Sequence, residues 1–160
     1  MFEVLVFVYE HYWRGDACPE LEQLGRRLTA HGFEAEEINA ALVWLDGLNL
    51  VAQSTLAVPE SEPAAVTLQS DTSLRVYSVA EQDHLGAQCL GFVTFLETSG
   101  VLPAPMREIV IDRAMAVPGD PVSLDDLKII VLMVYWSFGE EPDALVLDEL
   151  CDPAEGRLPH

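Results

Sequence analysis

The residues with most to offer chemically lie together late in the chain. Arg107, Glu108, Asp112 and Arg113 fall within one otherwise apolar stretch, and Arg75 is the nearest Lys or Arg upstream of them. Guanidinium and carboxylate groups this close form ion pairs, within the fold or with another protein. On a helix, Glu108 and Asp112 make a like-charge i, i+4 pair, mildly destabilising by itself. The spacing therefore asks for cations from elsewhere, either Arg75 across the fold or a partner's. Two readings follow: an internal ion-pair network that docks the segment around Arg75, or a surface that a partner binds. Arg75, Arg107, Glu108, Asp112 and Arg113 are the candidate interaction residues.

The other reactive side chains do not assemble into a site. His11, His31, His84 and His160 are scattered. His84 and Cys89 are five apart and do not share a helical face cleanly. Glu81 and His84 share one at i, i+3, but zinc needs three or four ligands. Cys89 falls on an apolar stripe and reads as a small core residue. No GxSxG, P-loop or GxGxxG is present. A non-enzymatic protein without metal or cofactor is the expectation. Cys18, Cys89 and Cys151 are odd in number and far apart, which points to free thiols in a reducing compartment.

Charge then narrows the partners. The chain has 27 acidic and 8 basic residues, a formal net charge of −19 over 160 residues, yet is 50% hydrophobic. Such a charge repels phosphate backbones and anionic membranes. The apolar half excludes a disordered acidic polymer. A chain this long buries roughly 70% of its unfolded surface, so one core suffices without disulfide or metal. The N-terminal run Phe2 to Val8 has an acid at Glu3 and no basic lead, unlike a signal peptide. The unbroken apolar run Ile129 to Trp136 is far short of the ~20 residues of a membrane span. A cytoplasmic protein is expected.

Periodicity supplies the elements that must hold these residues. Phe2 to Trp13, apolar nearly all round, reads as a buried helix. Pro19 suits a first helical turn; Leu21, Leu24 and Leu28 follow, and Gly32 stops the helix. Ile38, Ala41, Leu42, Leu45 and Leu48 mark the cleanest helix, with Glu34, Glu36 and Glu37 in its first turn, where the helix dipole favours acids. Residues 53 to 73, with Pro59 and Pro63, read as a linker, and Leu74 to Tyr77 as a short extended piece. Ser78-x-x-Glu81 is a capping box, opening a helix through Leu85, Cys89, Phe92, Val93 and Leu96 to Gly100. Pro103 and Pro105 precede a helix that carries Met106, Ile109 and Val110. Ser123-x-x-Asp126 caps the last, through Leu127, Ile130, Val131 and Val134, apolar enough to lie at the centre of the core. The reading is an all-α protein of about six helices: a three-helix unit over 1–52, a linker over 53–73, a second three-helix unit over 74–139 and an acidic tail over 140–160. Leu28-x-x-x-Gly32 and Leu96-x-x-x-Gly100 give the two units a similar helix-turn-helix-like outline.

That outline raises nucleic-acid binding, and charge argues against it. A recognition helix offers Arg, Lys, Asn or Gln to base edges. Between Phe33 and Arg75 there is no Lys or Arg, and three glutamates open the candidate recognition helix. Tyr9, Tyr12 and Trp13, and Tyr135, Trp136 and Phe138, sit at helix ends and read as packing of the first helix against the last.

Taken together, Met1-Phe2-Glu3-Val4-Leu5, Gly32-Phe33-x-x-x-Glu37-Ile38-x-x-Ala41-Leu42-x-Trp44-Leu45, Arg75-x-Tyr77, Arg107-Glu108-x-Val110-Ile111-Asp112-Arg113-Ala114 and Leu124-Asp125-x-Leu127-Lys128 resemble the bacterial Smg family. The likeness spares only the 53–73 stretch and the tail. It implies a small, largely helical cytosolic protein of unassigned activity, with at most an indirect role in nucleic-acid metabolism. The leading expectation is a non-enzymatic adaptor or regulator that uses an acidic helical surface to bind a protein with a basic one. The alternative is a helix-turn-helix-like DNA- or RNA-binding regulator using Arg26, Arg27, Arg107 and Arg113.

Overall fold

The computed structural model describes residues 1–12, 20–56, 76–118 and 121–140. They form six helices and, among the described residues, no strand: α1 (Phe2–Tyr12), α2 (Leu21–His31), α3 (Ala35–Leu56), α4 (Val79–Thr98), α5 (Ala104–Met115) and α6 (Leu124–Phe138). The all-α reading stands. Trp13, Cys18, Pro19, residues 57–75, Cys151 and the tail beyond Glu140 lie outside the described residues, and with them the expected linker from residue 57 and the extended piece up to Arg75.

Helix ends form where local chemistry directs. Ser78 accepts from the Glu81 amide at 3.3 Å, and Glu81 Oε2 accepts from the Ser78 amide at 2.8 Å, completing the capping box. Ser123 Oγ accepts from the Asp126 amide at 3.1 Å. At the other end of α2, Gly32 takes φ 95°, which lets its own amide reach Thr29 O and the Phe33 amide reach Leu28 O. A side chain would resist that left-handed turn.

One buried cluster draws on all six helices. Leu127, Ile130, Val131, Met133 and Val134 of α6 are buried, so the last helix does occupy the centre. α1 packs Val4, Leu5 and Val8 inward against α6 and α3. α3 turns Ile38, Ala41, Trp44, Leu45 and Leu48 to the core, Trp44 replacing Leu42, which is only partly buried. α3 also touches α5 and α6, so the two groups of three helices share this core.

Two elements differ from their sequence reading. α3 continues to Leu56, past the loss of apolar periodicity at residue 53, because exposed polar residues such as Gln53 and Ser54 can finish a helix whose buried face has ended. α4 is not one straight helix. Gly86 sits at φ 73°, ψ 168°, a region open essentially to glycine alone, and the helix kinks there. The kink leaves His84 O to accept from the Val122 amide at 2.9 Å. His84 Nε2 donates to Ala114 O at 3.1 Å, and Cys89 Sγ to Val122 O at 3.4 Å. The kinked α4 thus fastens the connection from α5 to α6.

Candidate functional site

The charged cluster of α5 divides between the two ends of the helix. At the start, Arg107 is only 4% exposed. Its Nε and Nη2 donate to Glu108 Oε1 at 3.1 and 2.8 Å, and its Nη1 donates to Glu97 near the end of α4. A guanidinium is buried here because two carboxylates meet it, both partly open to water. Near the end, Arg113 donates from Nε and Nη2 to Asp112 Oδ2 at 3.1 and 2.9 Å.

Arg113 also ties α5 to α3. Its Nη1 reaches Trp44 O at 3.4 Å, while Trp44 Nε1 donates to Arg113 O at 3.0 Å. Arg113 O lies at a helix C-terminus, where carbonyls lose their helical partners, and the indole meets that need. The guanidinium lies on Gly47, and a Cβ at that position would collide with Nη1. Glycine in mid-helix weakens α3 locally, and the close approach of Arg113 is what it permits.

Among the described residues, both acids of the expected like-charge pair meet a cation on α5 itself. Glu108 is held by Arg107 and Asp112 by Arg113, each by its own neighbour in sequence. Arg75, the fifth candidate, lies outside the described residues. Both acids keep an exposed side, while both arginines face inward.

The same inward turn governs the other cations. Of the eight Lys and Arg, five are described. Lys128 is 6% exposed, with Nζ 5.9 Å from the centre of the Phe92 ring, within cation–π range. Among the described residues only Arg26 and Arg27, both on α2, are exposed cations. Arg26 pairs with Glu22 at 2.6 Å, and Arg27 meets Tyr12 by a 3.3 Å hydrogen bond and from 5.9 Å above its ring. Outward-facing acids are numerous by contrast: Glu3, Glu10, Glu34, Glu36, Asp46, Asp83 and Asp125 are all exposed.

The recognition-helix position of the α2–turn–α3 unit belongs to α3. It carries no Lys or Arg, and Asn39, Val43, Asp46 and Leu50 line its solvent face. On α1, Phe7 stacks on His11 at 3.9 Å and meets His31 of α2 at 4.5 Å and Phe33 of the following turn at 5.6 Å. Tyr135 of α6 donates to Val101 O. Phe7 and Tyr12 of α1 thus reach toward α2, and Trp13 lies outside the described residues.

Among the described residues, two groups hold their protons more tightly than usual. Burial, then the nearby Asp126 charge, pushes the Cys89 thiol above its ordinary value. Burial, then Glu140, does the same to the Tyr135 phenol. Both shifts keep the groups neutral, the opposite of an activated nucleophile. Among the described residues no group of three or more His, Cys, Asp or Glu could hold a metal ion, and no helix is long and apolar enough to cross a membrane.

Glu97, Trp44, Gly47 and Lys128 were not legible as parts of these networks. A lone glycine inside an apolar helix was the available signal for Gly47.

A family model described as "Protein of unknown function (DUF494)" matches residues 1–160. Among curated proteins, the chain is 59% identical to a "Protein Smg homolog" of Leptothrix cholodnii over 160 residues, all of both chains. The figure is 59% for that of Methylibium petroleiphilum and 50% for that of Bordetella avium, again over the whole of both chains. No solved structure matches the chain.

Proposed function

The chain belongs to the DUF494 family, that of the Smg homologs, and from that starting point we propose that it is a non-enzymatic adaptor or regulator that binds a basic partner protein through an acidic helical surface. One observation carries the proposal. Arg107, Arg113 and Lys128 are turned inward, while Glu108, Asp112 and many other acids face water. The outward field is then more one-sided than composition alone requires. A one-sided field steers an oppositely charged partner and rejects like-charged ones. It also opposes phosphate contact, which needs cations at the surface.

The test is co-purification of the tagged protein at native expression, with and without nuclease, read by mass spectrometry. The proposal expects a stoichiometric partner that survives nuclease and presents a basic surface. Recovery only through nucleic acid would overturn it and favour the DNA- or RNA-binding reading through Arg26 and Arg27. If the partner itself handles nucleic acid, the acidic surface competes for the same site, and added nucleic acid displaces the protein.

A further inference from the structure

α3 carries a patch of a different kind. Val43 and Leu50 are 66% and 60% exposed, one heptad apart on the longest helix. Asn39 and Asp46 are exposed between and before them. At 100° per residue these four fall within an arc of roughly 60°, a single narrow strip. The strip is edged on the α5 side by an ion pair: Gly47 lies one turn beyond Val43, Arg113 fills the space above it, and Asp112 rides on that guanidinium at 2.9 Å. Two apolar anchors at i and i+7, an acid between them and a second acid along one border make up the motif.

We propose that this strip of α3 docks a basic amphipathic helix of the partner protein, with apolar side chains against Val43 and Leu50 and lysine or arginine against Asp46 and Asp112. This deepens the acidic-surface reading and rests on it. Anchors at heptad spacing are what one helix presents to another. Charge selects the occupant. A second copy of the chain would bring Asp46 and Asp112 toward their own counterparts, with a formal −19 on each side. Residues 141–160 of the same chain hold six acids, Glu141, Asp143, Asp148, Glu149, Asp152 and Glu155, against Arg157 alone, and are repelled in the same way. A basic helix meets no such opposition, and Asp46 gives it a register. The Trp44–Arg113 interlock holds α3 and α5 together, so the strip is preformed.

The test is a fluorescence-anisotropy titration of the full chain with labelled helical peptides of about three turns to six turns. One peptide has leucines seven apart, flanked by lysines. A second has glutamates for the lysines, and a third has the first composition scrambled. The lysine peptide alone is expected to bind. V43S/L50S should weaken it about tenfold or more, and D46K should weaken it while admitting the glutamate peptide. Both changes are on the surface, and an unchanged circular-dichroism melt shows that the fold persists. Equal binding of the lysine and scrambled peptides, unmoved by V43S/L50S but abolished by salt, overturns the strip and leaves the acidic-surface reading standing. No binding of the lysine peptide overturns the strip as well, and co-purification then judges the acidic surface separately. Sedimentation that shows a dimer dissolved by V43S/L50S would assign the strip to a second copy. A photo-cross-linker at Leu50 that labels residues 57–75 or 141–160 of its own chain would assign it to that segment. Either result overturns the proposal.

Discussion

Arg107 shows how much a single residue's setting can reverse its apparent purpose. In the sequence it heads a charged cluster that invites a partner. In the fold it is buried and answers to Glu97 and Glu108. Removing one member of a buried pair costs more than the pair's net contribution. Arg107→Ala should therefore destabilise by about 2–3 kcal/mol, with the cavity adding to the loss of the pair. Arg107→Met, which fills the space and leaves two partly solvated carboxylates, should cost no more than about 1 kcal/mol. Urea unfolding of the two variants distinguishes them. Cys89 gives a second prediction at this scale. Its folded thiol is held above the ordinary 9.0, and the Tyr135 phenol above the ordinary 10.0. The unfolded chain ionises first, so the stability from keeping these groups neutral is full below about pH 9 and is lost as pH rises through the folded values. Unfolding midpoints followed from about pH 7 to about pH 10 should fall in the upper part of the range, and Cys89→Ala should remove the earlier part of the fall. The residue scale was the least legible in the sequence. Trp44 and Arg113 are 69 positions apart, and local spacing carries no trace of a bond over that distance.

Helices and their ends were more legible, because their causes are local. The capping box at Ser78, the cap at Ser123 and the glycine stop at Gly32 are chemistry within a few residues, and each forms as its spacing suggests. The apolar stripes of α3 and α6 give core faces for the same reason. The kink at Gly86 leaves no such local mark. Its apolar neighbours keep helical spacing on both sides, so periodicity passes through a break that only φ and ψ display. The kink is a structural joint, since it frees His84 O for the Val122 amide. Gly86→Ala introduces a side chain where the backbone tolerates none, although nothing within 4 Å would touch its Cβ. The expected cost is about 1–3 kcal/mol from backbone strain alone. Thermal unfolding measures it, and hydrogen exchange at the Val122 amide should rise if the α5–α6 connection loosens. A variant as stable as the parent would mean that the kink is dispensable.

At the scale of the whole molecule, composition spoke clearly about charge but not about where the charge sits. A net −19 follows from counting. That the described cations largely turn inward, leaving Arg26 and Arg27 outside on α2, follows only from the fold. Arg107, Glu108, Asp112 and Arg113 share α5, where the arginines support the core while Glu108 and Asp112 keep faces to solvent. The measurement that bears most directly on the account is a binding titration of the full chain, at rising salt, against the nuclease-resistant partner and against labelled duplex DNA. An acidic binding surface predicts that the partner binds, that its affinity falls as salt screens the attraction, and that duplex DNA does not bind at any salt. Tight binding to DNA with a steep salt dependence, or partner binding indifferent to salt, would contradict it.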